Sequence, residues 1–148
     1  MEIHTAHQTA LRLMGEHNLL SNGWIFQFDG AKRRAGLCDS TNKIISLSRA
    51  ITHTGTDEGI TNTILHEIAH ALVGCQHGHN NIWRAKALSI GCSGKRTHNH
   101  KTAPSKYSML CLACGDKTPS YRKPKRNSSC AKCCPRYNEA FKLVRVRT

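Results

Sequence analysis

Apolar positions near the start of the chain recur at helical spacing. Over residues 3–20, Ile3, Ala6, Ala10, Leu11 and Met14 fall near one face, which predicts an amphipathic helix, and Ser21, Asn22 and Gly23 break it. The period then shortens to two. Trp24–Phe28 (WIFQF) alternates and is rich in aromatic residues, so it reads as a strand. Asp29-Gly30 begins a turn, and Arg34–Cys38 and Lys43–Leu47, joined through Ser40, Thr41 and Asn42, read as two more strands. The three predict a small antiparallel meander. Residues 49–55 read as a connection with at most a short helical turn. A longer helix is predicted over 57–73, with Thr54 and Asp57 as a capping box and Gly74 as its stop, and a further helix over 82–90 ends at Gly91.

Beyond Cys92 the periodicity is lost. Residues 92–106 are rich in Ser, Thr, Gly, Lys, His and Asn and include Pro104, a linker composition. Residues 107–148 carry paired cysteines and close on a predicted strand, Phe141–Val146. There are no internal repeats. The expected organisation is a body over 1–94, a basic linker over 95–106 and a cysteine module over 107–148.

Composition sharpens this division. At 148 residues the chain allows one ordinary domain, or a modest domain with a small module. Its formal charge is +13. Residues 1–94 hold eight basic and seven acidic side chains, whereas residues 95–148 hold fourteen and two. A near-neutral body therefore precedes a segment of +12, and such asymmetry points to a polyanion, most often nucleic acid. No apolar run reaches the ~18 residues of a membrane helix, and the start does not read as a secretory signal. These features exclude a membrane protein, a large multidomain enzyme and an acidic disordered chain. Cys38, Cys75 and Cys92 stand alone, which suits a reducing, cytoplasmic setting.

Eight Cys and ten His turn attention to metals. His66-Glu67-Ile68-Ala69-His70 is an HExxH pattern in the middle of the longest predicted helix. Residues i and i+4 share a helix face, so both imidazoles can reach one ion. Glu67 lies about 100° further round, suited to take a proton from an attacking water rather than bind the metal. Ile64, Leu65, Ile68, Ala69 and Leu72 fill the neighbouring arc, so the helix reads as mostly buried, and buried polar groups need partners. A catalytic zinc needs a third protein ligand. The next acidic residue after Glu67 is Asp116, in the cysteine module, which disfavours a downstream carboxylate ligand. His77, His79, Cys75 and Cys92 remain. An HExxHxxGxxH pattern would end one residue before His77, and we favour His79, just before the helix that Trp83 opens, with His77 as the alternative.

These segments together resemble the SprT-like family, which includes the DNA-dependent metalloprotease Spartan. Trp24–Phe28, Arg33–Cys38 and Lys43–Ser48 are similar to its strand region, Thr63–Ala71 to its active helix, Gly78–Trp83 to its Gly-His-Gly-x-x-aromatic segment, and Ala85–Gly91 to the helix that follows. Asn80 stands where the family commonly has Gly, a departure that Asn's tolerance of left-handed backbone would accommodate. The resemblance implies an α+β fold: a small zincin-like domain of N-terminal helix, three-stranded antiparallel sheet, HExxH helix and further helix. It implies that His66, His70 and His79 hold a catalytic Zn²⁺, that Glu67 is the general base, and that substrates are DNA-bound or DNA-crosslinked proteins.

Cys111-x-x-Cys114 and Cys130-x-x-Cys133, fifteen residues apart, are ligand spacing for a structural four-cysteine Zn²⁺ site, with Cys134 a register competitor of Cys133. SprT-like proteins often end in such a zinc ribbon. A ~40-residue module has little core, so the metal would supply much of its folding energy. It carries Lys117, Arg122, Lys123, Lys125, Arg126, Lys132 and Arg136, with Tyr107, Tyr121 and Tyr137 interleaved. Cations of this kind hold phosphates without reading sequence, so the expected partner is DNA, single-stranded or sequence-nonspecific, and the tyrosines are read first as ribbon packing. The expected function is zinc-dependent proteolysis directed by DNA binding. Two alternatives are a peptidase cleaving one specific repressor and a non-enzymatic zinc-ribbon nucleic-acid binder.

Overall fold

Helix α1, Ile3–Glu16, buries Ala6, Ala10, Leu13 and Met14 along one face. It stops four residues short of the predicted end. Asn18 takes a left-handed conformation (φ 58°), and the amides of Asn18 and Leu19 bond back to Gly15 and Met14 carbonyls at 3.0 and 2.9 Å. This is a Schellman stop with Asn in the glycine position. Leu19 is still buried, so the apolar pattern outlasts the helix itself. The computed structural model describes residues 1–97, 100 and 104–148, which form two compact units, Met1–Ala103 and Pro104–Thr148.

In the first unit, β1 (Ile25–Asp29), β2 (Gly36–Asp39) and β3 (Ile44–Ser48) form one sheet of order β1-β3-β2. The three strands are present, but the antiparallel meander is not. β3 lies in the middle, antiparallel to β2 and parallel to β1, with Ile25 opposite Ile44. The β1–β2 connection arches over the end of β3, where Ser48 donates its amide to Ala35 O (2.8 Å) and its hydroxyl to Ala31 O (2.6 Å). β3 is the most buried strand: its central position pairs both of its edges, and Ile45–Ser48 are buried on both faces.

Ser48 also caps α2 (Arg49–Thr54), accepting from the Ile51 amide, so the expected connection is a full short helix. Helix α3 spans Asp57–Val73, as the periodicity predicts, and Gly74 ends it. Its cap is Thr56, which accepts from Gly59 N; Thr54 instead belongs to α2, so the capping-box reading is corrected by two residues. Helix α4 is Asn81–Ser89. An apolar core built from α1, β3, α2, α3 and α4, including Ile45, Leu47, Ile60, Ile64, Ile68 and Trp83, holds α3 against the sheet. Residues 95–97 and His100, predicted as linker, belong to this first unit: the Ser93 amide bonds Asn62 Oδ1 at 2.7 Å, and His100 Nε2 lies 3.0 Å from Thr63 Oγ1. Linker residues 98–99 and 101–103 lie outside the described residues.

In the second unit, β4 (Tyr107–Cys111), β5 (Lys117–Ser120) and β6 (Leu143–Arg147) make an antiparallel sheet of order β5-β4-β6. The closing strand starts two residues later than predicted, because Glu139–Phe141 forms a 3₁₀ turn capped by Asn138. The architecture is α+β, with two small three-stranded sheets among the described residues. No helix among the described residues is long and apolar enough to cross a membrane.

Candidate metal centre and active site

Helix α3 delivers His66 and His70 to one face by their i, i+4 spacing, and the segment after it returns His79 to the same point. His79 Nε2 lies 2.9 Å from His66 Nε2 and 3.2 Å from His70 Nε2. A tetrahedral zinc with Zn–N bonds of about 2.05 Å would space its nitrogens about 3.3 Å apart, so the three donors fit one ion. His77 is outside this cluster, with its Nδ1 3.3 Å from Asn80 Nδ2. The return is made by Cys75–His77, a 3₁₀ turn, and by Gly78, whose φ of 53° and ψ of −127° suit glycine.

Asn80 does not need the left-handed conformation expected of it. It is extended (φ −73°) and caps α4, accepting from the Ile82 and Trp83 amides at 3.0 and 3.1 Å. The cap places Trp83 against the three histidines. Its buried ring lies 4.6, 5.2 and 4.6 Å from the rings of His66, His70 and His79. This platform role is not legible in the sequence, where Trp83 is one aromatic residue opening a helix.

Two of the imidazoles, His70 and His79, are held towards the neutral, lone-pair-donating form. Burial, reinforced by the nearby His79, pushes His70 down to about 4, and burial followed by the charge of Arg96 lowers His79. Glu67 sits on the same helix, buried. Burial pushes its carboxyl up to about 7, against the Arg34 charge and the Cys38 amide, which favour the carboxylate. A carboxyl held near neutrality suits proton transfer.

Glu67 rests on the backbone of β2. A Cβ at Gly36 would lie 2.7 Å from Glu67 Oε1 and 2.8 Å from its Cγ. Gly36 is therefore the seat of the carboxylate, a role that no local motif announces. Gly36→Ala should leave zinc content unchanged and lower kcat by about tenfold to a hundredfold, because angstrom-scale misplacement costs that much. A wild-type rate with the alanine would show that the seat is not restrictive.

His66, Glu67, His70 and His79 face a cleft of about 320 Å³, bordered also by Arg34, Lys95 and Arg96. Lys95 and Arg96 read as linker in the sequence, and the structure instead brings them to the rim of this cleft. Cys38 and Cys75, isolated in sequence, also line it.

In the second unit, Cys111, Cys114, Cys130 and Cys133 bring their sulfurs within 4.8 Å of one another, and Cys134 is not part of that group. The Cys111–Cys133 and Cys114–Cys130 sulfurs are 3.8 and 3.7 Å apart. Four Zn–S bonds of about 2.3 Å in a tetrahedron space sulfurs about 3.8 Å apart. Without a cation the four cannot all ionise. Backbone amides of Cys114 and Ala113 pull Cys111 down to about 7, while the neighbouring Cys114 and burial push Cys133 up to about 12.

The ribbon cations differ in availability. Lys117, Arg122, Lys123, Lys125, Arg126 and Arg136 are exposed. Lys132 pairs with Asp116, so part of its charge is already compensated. Tyr107 is covered on one face by Arg145, 3.6 Å from the ring centre, and the Tyr137 hydroxyl donates to Glu139.

A family model described as the SprT-like family matches residues 6–103, the part of the chain that holds the three histidines and Glu67. No curated protein matches the chain.

Proposed function

The chain belongs to the SprT-like family, a metallopeptidase-type domain, and from that premise we propose that it is a zinc endopeptidase that cleaves proteins bound or crosslinked to DNA. The observation that carries the enzymatic part is the placement of buried Glu67 beside three converging imidazoles at an open cleft. A metal site that only braced the fold would have no use for a carboxylate held there.

His66, His70 and His79 would hold the catalytic zinc, and the four ribbon cysteines a structural one, two ions per chain. A zinc bound to the histidines supplies Lewis-acid polarisation of the scissile carbonyl and acidifies water. Glu67 takes the proton of the attacking water and delivers it to the leaving amine. Its seat on Gly36 limits where the carboxylate can sit at the cleft, and the Trp83 platform limits the directions the imidazoles can take.

DNA targeting rests on charge. Residues 95–148 carry +12, and within the first unit Lys95 and Arg96 bring cations to the cleft rim. Tethering enzyme and substrate to one polymer raises their effective concentration. Reversing Lys123, Lys125 and Arg126 together should weaken DNA binding and reduce the magnitude of its salt slope by about 2 to 3, at ~0.7–0.9 for each phosphate that is no longer neutralised. An unchanged slope would remove these side chains from the interface.

The decisive experiment is cleavage of a DNA-binding protein with and without single-stranded DNA, alongside zinc quantification. About two zinc per chain and DNA-stimulated cleavage are expected. Cleavage of a single target without DNA stimulation would favour a regulatory peptidase, and no cleavage with both sites loaded a non-enzymatic binder.

A further inference from the structure

Cys38 and Cys75 are 37 residues apart in sequence, but their sulfurs lie 3.4 Å apart on the wall of the catalytic cleft. Cys38 is on β2, two residues past the Gly36 seat of Glu67. Cys75 opens the 3₁₀ turn that leads through Gly78 to His79. Both are free thiols and only partly buried. The Cys75 sulfur is also 3.5 Å from the Cys38 carbonyl oxygen. The metal chemistry uses neither sulfur.

We propose that Cys38 and Cys75 form a reversible disulfide when the protein meets a peroxide, an oxidative modification site that ties the β2 edge of the cleft to the segment carrying His79. Disulfide sulfurs are about 2.05 Å apart, so closing the bond needs a movement of about 1.4 Å between side chains already facing each other. In the first step the Cys75 sulfur attacks one peroxide oxygen. The O–O bond breaks, hydroxide leaves and takes up the thiol proton as water, and Cys75 becomes a sulfenic acid. The Cys38 sulfur then attacks the Cys75 sulfur, the S–O bond breaks, and a second water leaves with the Cys38 proton. Two thiols and one hydrogen peroxide give one disulfide and two waters. Burial and the adjoining Cys75 hold the Cys38 thiol well above the usual range, so the first attack is assigned to Cys75, and Cys38 gives up its proton to the departing sulfenic oxygen as the S–S bond forms. In a reducing compartment such a bond is transient, and thiol reductants would reverse it.

Its consequence for cleavage rests on the proposed peptidase function, but its formation does not. The test is zinc-loaded full-length protein treated with hydrogen peroxide, alkylated and mapped by mass spectrometry. A peptide joining Cys38 to Cys75, lighter by two hydrogens, is expected in wild type and in Cys92→Ser, and absent from Cys38→Ser and Cys75→Ser. Peroxide should also lower wild-type proteolysis at least tenfold, restored by dithiothreitol, while Cys75→Ser keeps whatever activity it has through the treatment. Full alkylation of both cysteines after peroxide, or their linkage to other cysteines instead, would overturn the pairing. A formed bond with unchanged proteolysis would overturn the control of the cleft. Absence of any proteolysis, with the bond formed, would count against the peptidase reading alone.

Discussion

Glu67→Gln should reduce cleavage of a DNA-bound protein towards background, a loss of ~10²–10⁴ in kcat, with zinc content and DNA affinity unchanged. The substitution keeps the size of the side chain, so the amide still fits against Gly36 and the helix keeps its packing. What is lost is the ability to accept a proton, and a positioned general base contributes about 10²–10⁴. The candidate metal ligands His66, His70 and His79 are untouched. In wild type, the acid limb of kcat/KM should report this carboxyl. Burial pushes this carboxyl up to about 7, and a dication held nearby would favour the carboxylate, so zinc-loaded protein should gain activity as pH rises through a midpoint below 7. The glutamine variant should show no such limb. A variant that still cut at a tenth of the wild-type rate would remove Glu67 from the proton pathway.

The parts of this site that could be read in the sequence are those that one helix turn brings together. His66 and His70 need only the 3.6-residue period, and the observed bounds of α3 match the expected ones. His79 needed the additional inference that a loop returns to the helix, and Gly78 is the residue that permits it. Gly36 and Trp83 lie in segments the resemblance covers, but no local pattern gave their roles, which arise where β2 and α4 meet α3. The same limit applies to Cys38 and Cys75, which look solitary along the chain and are neighbours across the cleft.

The sheet shows a related limit. Alternation identified all three strands of the first unit within a residue or two, but a period of two does not say which strand lies next to which. Short spacing favoured a meander, and the Ser48 hydrogen bonds to Ala31 and Ala35 instead carry the β1–β2 connection over β3. The burial of Ser46 and Ser48 along with Ile45 and Leu47 shows a strand covered on both faces, whereas serines in a strand pattern read as a solvent face. Helix α1 misleads in the opposite way, since Leu19 continues the apolar stripe from outside the helix.

Removing zinc should unfold the second unit and leave the first folded. The contrast lies in the cores. The first unit buries a contiguous set of large side chains, among them Trp83, Met14, Ile45, Leu47 and Ile64, independent of any ligand. In Pro104–Thr148 the buried side chains are Ser108, Cys111, Ser120 and Cys130. Two of these are hydroxyls and two are candidate metal ligands, and the larger apolar side chains, among them Met109, Leu110, Phe141, Leu143 and Val144, are only partly buried, so apolar burial offsets less of the entropy of ordering this segment than in the first unit. Structural zinc sites supply apparent free energies of about 10–16 kcal/mol, ample to order a module of this size. Cys111→Ser, or a chelator strong enough to strip thiolate-bound zinc, should therefore abolish the amide dispersion of residues 104–148 in an NMR spectrum while the resonances of Ile45, Ile64 and Trp83 persist. The basic side chains keep their charge when the ribbon unfolds. DNA affinity should then fall while much of its salt dependence remains, because counterion release depends on the number of cations rather than on the fold that holds them. A ribbon that kept its dispersion without zinc would mean that its sheet, β5-β4-β6, is stable through backbone pairing alone.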